Sequence, residues 1–277
     1  MIKISSQFFG GRGSSGRSAG GGGGGSQATP NSAAVNQSYQ AKLQQVQAMN
    51  NKEFESYLDN LDNLTLNYDA SYDYSKNCSF QRMVTDLGLN DKPNVVDKTT
   101  FETILAQNSN AKIIYRGVSS GKDITATEIL NQIKYSDGFH VGGGMVGDGL
   151  YYTGSVHYAS SFAGNSGKIQ RAIIDPNAKI ASARELTKQY NKLPKSTQRA
   201  LSRSGSKSTG TWYNDGESQL AIKLGYDAIQ GVNSDHLVIL NRKILTIDKA
   251  SYSYSGIQTV ASKTNSRHTY TDVTDIK

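Results

Sequence analysis

Gly142-Gly-Gly-Met-Val-Gly-Asp-Gly-Leu-Tyr-Tyr-Thr153 is the stretch whose reading decides the fold. It contains a formal G-x-G-x-x-G at Gly142, Gly144 and Gly147, but a dinucleotide fingerprint follows a strand and opens a helix. Here the glycines run into Leu150-Tyr-Tyr-Thr153, which reads as a strand. The Gly-Lys-Ser/Thr of a phosphate-binding P-loop is also missing. Both doubly wound nucleotide-binding arrangements are therefore excluded, and the run reads as a mobile loop that delivers a strand. Alternation along that strand sends one of Tyr151 and Tyr152 into the core and leaves the other outside. Ser155-Val-His-Tyr158-Ala159 then opens a helix that carries Tyr158 one turn further on.

On either side of this stretch the texture differs. From Val35 to about Asn63, apolar residues recur at three- and four-residue spacing (Val35, Tyr39, Leu43, Val46, then Phe54, Leu58, Leu61), which predicts two helices broken near Asn50–Asn51. Shorter helices are expected over Phe80–Leu87, stopped by Gly88, and over Thr99–Ala106. These segments read as a helical lobe over 35–110. After it come short apolar runs at Ile113–Val118, Leu150–Thr153, Lys168–Ile174, Ala228–Val232, Leu237–Leu240 and Ile244–Ile247. Helices are expected between them at Ala126–Ile133, Val156–Phe162, Ala183–Tyr190, Lys195–Leu201 and Glu217–Leu224. Strands interleaved with helices in this way indicate an α+β core over 111–250.

The ends have another composition. Ten of the 28 glycines fall within the first 25 residues, and 251–277 is mostly polar, so neither end buries enough apolar surface to offset its ordering entropy. Residues 1–34 read as a disordered Gly/Ser arm and 251–277 as a polar tail. The net charge of +7 favours phosphate-bearing partners without choosing among a nucleotide, a nucleic acid and an acidic protein surface. Cys78 is the one cysteine, which excludes an intrachain disulfide and a cysteine metal cage. His140, His157, His236 and His268 show no paired ligand spacing, so no metal is expected; Asp235-His236 reads as a polar turn before a strand. No apolar stretch reaches the roughly 18 residues of a membrane span.

Two charged residues stand out beside the tyrosines. Lys112-Ile-Ile-Tyr-Arg-Gly-Val118 ends a strand with Arg116 beside Gly117, where the backbone can turn or admit a ligand. Arginine suits a diphosphate because its planar fork donates in pairs. Trp212-Tyr-Asn-Asp-Gly-Glu217-Ser-Gln-Leu-Ala enters a helix, with Asn214 or Asp215 available as its cap and Glu217 in its first turn. A carboxylate there is favoured by the helix dipole in any case, and it is also the group that stabilises an oxocarbenium-like centre. Asp175 and Glu185 are rival acids.

Taken in order, Tyr115-Arg116-Gly117, then Gly147-Asp-Gly-Leu-Tyr-Tyr-Thr153 with Ala159, then Glu217 followed by Leu224-Gly-Tyr-Asp-Ala-Ile229 and Val238-Ile-Leu-Asn241, resemble the ADP-ribosyltransferase superfamily, in its phage and bacterial toxin-like branch. The resemblance covers roughly Ala111 to Ile247 and rests on order and spacing. It implies a split mixed β-sheet with NAD in the cleft between its halves. Arg116 would hold the NAD phosphates or ribose, Tyr151 or Tyr152 would flank the nicotinamide, and Glu217 would be the catalytic acid. Gly117, Gly149, Thr153, Ser155 and Tyr158 would complete the NAD site. A Ser-Thr-Ser motif common in the family has a partial counterpart in Tyr152-Thr153-Gly154-Ser155, and Glu217-Ser218-Gln219 has its glutamate first, where the family commonly has it last.

The expected activity is mono-ADP-ribosyl transfer from NAD to a macromolecular acceptor, a host protein, in the host cytoplasm. Virion association before delivery and docking of the arm on a phage head component belong to the same reading. The alternatives are a packaged head protein with an inactive transferase fold and a small basic ribonuclease using His140, His157 or His236.

Overall fold

In the computed structural model of the chain, the described residues are 32–61, 78–89, 93–108, 110–118, 142–144, 146–165, 167–204, 216–231, 236–253 and 255–257. Residues 1–31 of the Gly/Ser arm, the helix expected at Ala126–Ile133, most of the polar tail, and Asn214, Asp215, His140 and His268 lie outside them, while 32–34, expected in the arm, begin the first helix.

The N-terminal helices are α1 (Ser32–Ala48), α2 (Asn51–Leu61) and α3 (Cys78–Asp86). The break before α2 is a reciprocal cap: the Glu53 amide donates to Asn50 Oδ1 and the Asn50 amide donates to Glu53 Oε2. Strand β1 (Asn94–Val96) and helix α4 (Lys98–Gln107) follow, α4 being capped by the Asp97 carboxylate, which accepts from the Thr100 amide. That hydrogen bond holds the Asp97 pKa below the ordinary aspartate value. Then come β2 (Lys112–Val118), β3 (Gly142–Gly144), β4 (Gly147–Thr153), α5 (Val156–Ala163), β5 (Lys168–Ile174), β6 (Ile180–Ser182), α6 (Ala183–Lys192), α7 (Lys195–Ser204) and α8 (Glu217–Lys223). Strands β7 (Ala228–Gln230), β8 (His236–Ile239) and β9 (Leu245–Tyr252) complete the set.

The fold is α+β, with a mixed sheet ordered β1-β9-β5-β2-β4-β8-β7-β6 and with β3 paired to β4 off that path. The glycine run expected as a loop is thus a hairpin: Gly142 pairs with Gly149 and Gly144 with Gly147. The parallel pairs β1/β9 and β6/β7 lie at the two ends of the sheet, and antiparallel pairs fill its middle.

Helices cover both faces. Alternation along β2 sends Ile114 to the cluster that contains Phe54 and Leu58 of α2, Met83 of α3 and Leu220 of α8. Ile113 and Tyr115 join Phe101 and Leu105 of α4 and Ala159 and Ala163 of α5 on the other side. Each large apolar side chain buried in this way contributes roughly 1.5–3 kcal/mol. The N-terminal helices do not stand apart as a lobe. They share the sheet's core, Thr197 of α7 donates to Glu55 of α2 at 2.6 Å, and β1, from before residue 110, belongs to the sheet.

Candidate active site

The two halves of the sheet meet at β2 and β4, and they meet through one register pair, Tyr115 with Thr153. On its other edge β2 is paired with β5 at every position from Lys112 to Val118. Beyond the Tyr115–Thr153 rung β2 and β4 part, and the sheet forks. Residues 116–118 form one wall of the fork and residues 150–152 the other.

Arg116 spans the opening. Its Nη1 donates to the Tyr151 carbonyl at 2.9 Å, in place of a main-chain donor from β2. Its Nε is buried without a hydrogen-bond partner, and Arg116 forms no ion pair among the described residues. Burial lowers the Arg116 pKa from its ordinary value, opposed by a smaller effect of the neighbouring Tyr152. An arginine remains protonated under such a shift, so the fork holds a half-buried positive charge with no carboxylate paired to it.

The two tyrosines divide as strand alternation requires. Tyr152 is a core residue, 2% exposed, and its hydroxyl donates to Gln170 Oε1 at 2.8 Å; burial pushes its pKa up to about 12. Tyr151 is half-buried on the opposite face. Its hydroxyl donates to the Gly147 carbonyl at 2.6 Å and accepts from the Val146 amide at 3.2 Å, which fixes the ring along β4. Tyr151 is therefore the tyrosine that faces outward.

Gly117 and Gly149 serve the scaffold. A Cβ at Gly117 would stand 1.8 Å from the Ala159 carbonyl oxygen, so its hydrogen lets α5 lie directly on β2. Gly149 has φ 156°, and a Cβ there would stand 2.4 Å from Val238 Cγ1. At both positions protein fills the space that was expected to admit a ligand.

Helix α5 lines the same face as Tyr151. Ser155 caps it by accepting from the Tyr158 amide at 3.1 Å, a contribution of about 1 kcal/mol, and its own amide donates to Thr153 Oγ1. Tyr158 turns its hydroxyl to His236 Nε2 at 2.8 Å. His236, expected in a polar turn, is instead the first residue of β8; it is 8% exposed and pairs in register with Thr153. A histidine at the polar end of the otherwise apolar His236-Leu-Val-Ile239 was the available sequence signal.

Glu217 lies at the other end of β4. It opens α8 behind Gly216, which sits at φ 84° with no side-chain cap hydrogen bond. The helix start is tied to β4 where Ser218 Oγ donates to the Asp148 carbonyl at 2.7 Å. The Glu217 side chain is fully buried, and its Oε1 accepts from the Thr187 hydroxyl of α6 at 3.0 Å. The structure thus brings the Arg116 guanidinium onto the Tyr151 main-chain carbonyl, and it places Glu217 apart from them, in the core beside Thr187, with its neighbour Ser218 tied to β4 at Asp148. Of the rival acids, Asp175 accepts from the Asn177 amide in a turn, and Glu185 is engaged with Gln189 and Lys188 on α6.

Among the described residues no three His, Cys, Asp or Glu side chains gather as a metal site, and no helix is long and apolar enough to cross a membrane. No family model, curated protein or solved structure matches this chain.

Proposed function

We propose that the chain is an NAD-dependent mono-ADP-ribosyltransferase that binds NAD at the fork between β2 and β4. The observation that supports this reading is the fork itself, a mixed sheet whose halves are joined at one rung, with an arginine across the gap that has no carboxylate partner among the described residues and an outward tyrosine beside it. A dinucleotide brings two phosphates and a flat cationic ring, and these are the partners that a guanidinium and a tyrosine face accept.

In this reading the Arg116 guanidinium binds the diphosphate or the adjoining ribose, with Nε, which has no partner among the described residues, as one donor, and Tyr151 flanks the nicotinamide. Glu217 is assigned to the ribose, where a carboxylate stabilises the oxocarbenium-like centre as the glycosidic bond breaks. Because that carboxylate is buried, the start of α8 must shift for it to touch substrate. The acceptor is a macromolecule, a host protein in the host cytoplasm.

The test is transfer of labelled ADP-ribose from NAD, together with nicotinamide release. Arg116→Ala is expected to lower kcat/KM about 100-fold or more. Glu217→Gln, which keeps the shape and a hydrogen bond to Thr187, is expected to fall by a similar factor. Transfer by Glu217→Gln at the wild-type rate removes that residue from the chemistry, and transfer by Arg116→Ala at the wild-type rate removes the fork as the NAD site.

A further inference from the structure

The fork carries a hydrogen-bonded pair, Tyr158 and His236, to which the NAD reading above gives no chemical step. His236 sits opposite Thr153, the residue that makes the last rung with β2. The rings of Tyr158, Tyr151 and Phe162 stand edge-on to its imidazole, at centroid distances of 5.0, 6.0 and 6.2 Å and interplanar angles of 75°, 83° and 65°. Phe162 is 51% exposed, Tyr158 is half-exposed and His236 is 8% exposed, so the cluster steps from solvent down to the imidazole. The contact within it is polar: Tyr158 Oη lies 2.8 Å from His236 Nε2.

A phenol alone, with an ordinary pKa of about 10, is a poor proton acceptor at neutral pH. An imidazole, with an ordinary value of about 6.5, is a good one, but this imidazole is covered. The hydrogen bond joins the two properties. Tyr158 is the more exposed partner, and His236 sets an imidazole nitrogen against its hydroxyl.

We infer that Tyr158 and His236 form a proton relay that takes the proton of the acceptor nucleophile in the transfer step. The inference rests on the transferase reading above. As the acceptor X–H bonds to the ribose anomeric carbon, the glycosidic C–N bond breaks and nicotinamide leaves neutral, with the electron pair of that bond. The X–H proton passes to Tyr158 Oη, whose own proton passes to His236 Nε2, and the imidazolium then returns a proton to water. Tyr158 touches the acceptor; His236 acts through it. Among the described residues, the titratable and charged groups on the elements packed around the imidazole are Tyr151 from β4, Tyr158 and the exposed His157 from α5, Tyr115 across the rung on β2, and the Arg116 guanidinium on the opposite face of the fork.

The test uses the full chain with NAD as probe and water as acceptor, with nicotinamide release followed from about pH 5 to about pH 9. The wild type is expected to show an acid limb, along which the imidazole becomes charged and the relay stops. Tyr158→Phe keeps the ring and removes only the hydroxyl; it is expected to lose about 100-fold in kcat with KM for NAD nearly unchanged. His236→Asn is expected to lose the acid limb. Arg116→Ala raises KM and keeps the limb, which separates binding from the relay. A wild type that turns over NAD while Tyr158→Phe matches it in rate and pH profile overturns the relay and leaves the transferase reading standing. A wild type that releases no nicotinamide overturns both.

Discussion

Along its β5 edge β2 is paired at every position from Lys112 to Val118, whereas along its β4 edge it is paired at Tyr115 alone. The arginines beside the two edges differ in the same sense. Arg171 of β5, 1% exposed, gives Nε to Asp248 and Nη2 to Glu102, each at 2.7 Å, and lies 4.4 Å from the Phe101 ring centroid and 5.4 Å from that of Tyr252. Burial alone would lower its pKa, but the hydrogen bonds to Glu102 and Asp248 reverse this and hold it above the ordinary value. Among the described residues Arg116 has one carbonyl and no acid, and burial lowers its pKa. The lesson is that compensation, rather than burial, separates an arginine that holds a fold together from one that is left for an anion.

The sharpest way to break this comparison is to remove each guanidinium. Arg171→Met leaves Asp248, fully buried, without its cation, and is expected to destabilise the fold by about 3–5 kcal/mol in denaturant unfolding. A loss under about 1 kcal/mol would show that Asp248 is served well enough by the Tyr252 hydroxyl and the Ala250 amide.

The paired half of the sheet was the more legible half. The expected Lys168–Ile174 agrees with β5 residue for residue, and Ile113–Val118 agrees with β2 within one residue, because short runs rich in isoleucine and bounded by turn residues mark strands even when interrupted by Gln170, Arg171 or Arg116. The three-residue strands β1, β3 and β6 are too short to show a period, and β3 was hidden by glycine composition, which reads as a loop whether or not it pairs. At the fork, strand alternation divides Tyr151 and Tyr152 into one core and one outer residue without saying which is which. His236 was not legible, because its place beside Thr153 and Tyr158 arises from strand pairing and a helix that are distant in sequence. The burial of Glu217 was equally invisible, since a first-turn glutamate looks the same on a surface as under α6.

Alkaline pH offers a second, smaller test of the unpaired side. Tyr152 has its pKa raised from 10.0 to about 12 by burial, so the folded state keeps a proton that the unfolded chain gives up. Its contribution is whole below pH about 10 and is lost as pH climbs toward about 12, at up to about 1.4 kcal/mol per pH unit. Urea midpoints should fall over that window, and Tyr152→Phe should flatten the fall while costing about 1–3 kcal/mol at neutral pH through the unpaired Gln170 amide. An unchanged alkaline slope in Tyr152→Phe would move the loss to another tyrosine, with Tyr115, also raised to about 12, as the first to examine.

The smallest expected effect completes the contrast. Arg116→Met removes one donor from the Tyr151 carbonyl and should cost about 1 kcal/mol or less in the same unfolding assay. A cost near that of Arg171→Met would identify Arg116 as a structural strut and deprive the fork of its ligand-binding arginine.

The lone rung between Tyr115 and Thr153 also divides β2 in time. Amides that point toward β5 sit within a continuous ladder and should exchange their hydrogens with solvent only when the whole domain opens. Amides that point away from β5 beyond Tyr115 face the gap and should exchange through local opening, orders of magnitude sooner. One strand would then carry a slow clock on one edge and a fast clock on the other, and a ligand seated in the gap would register first as a slowing of the fast one.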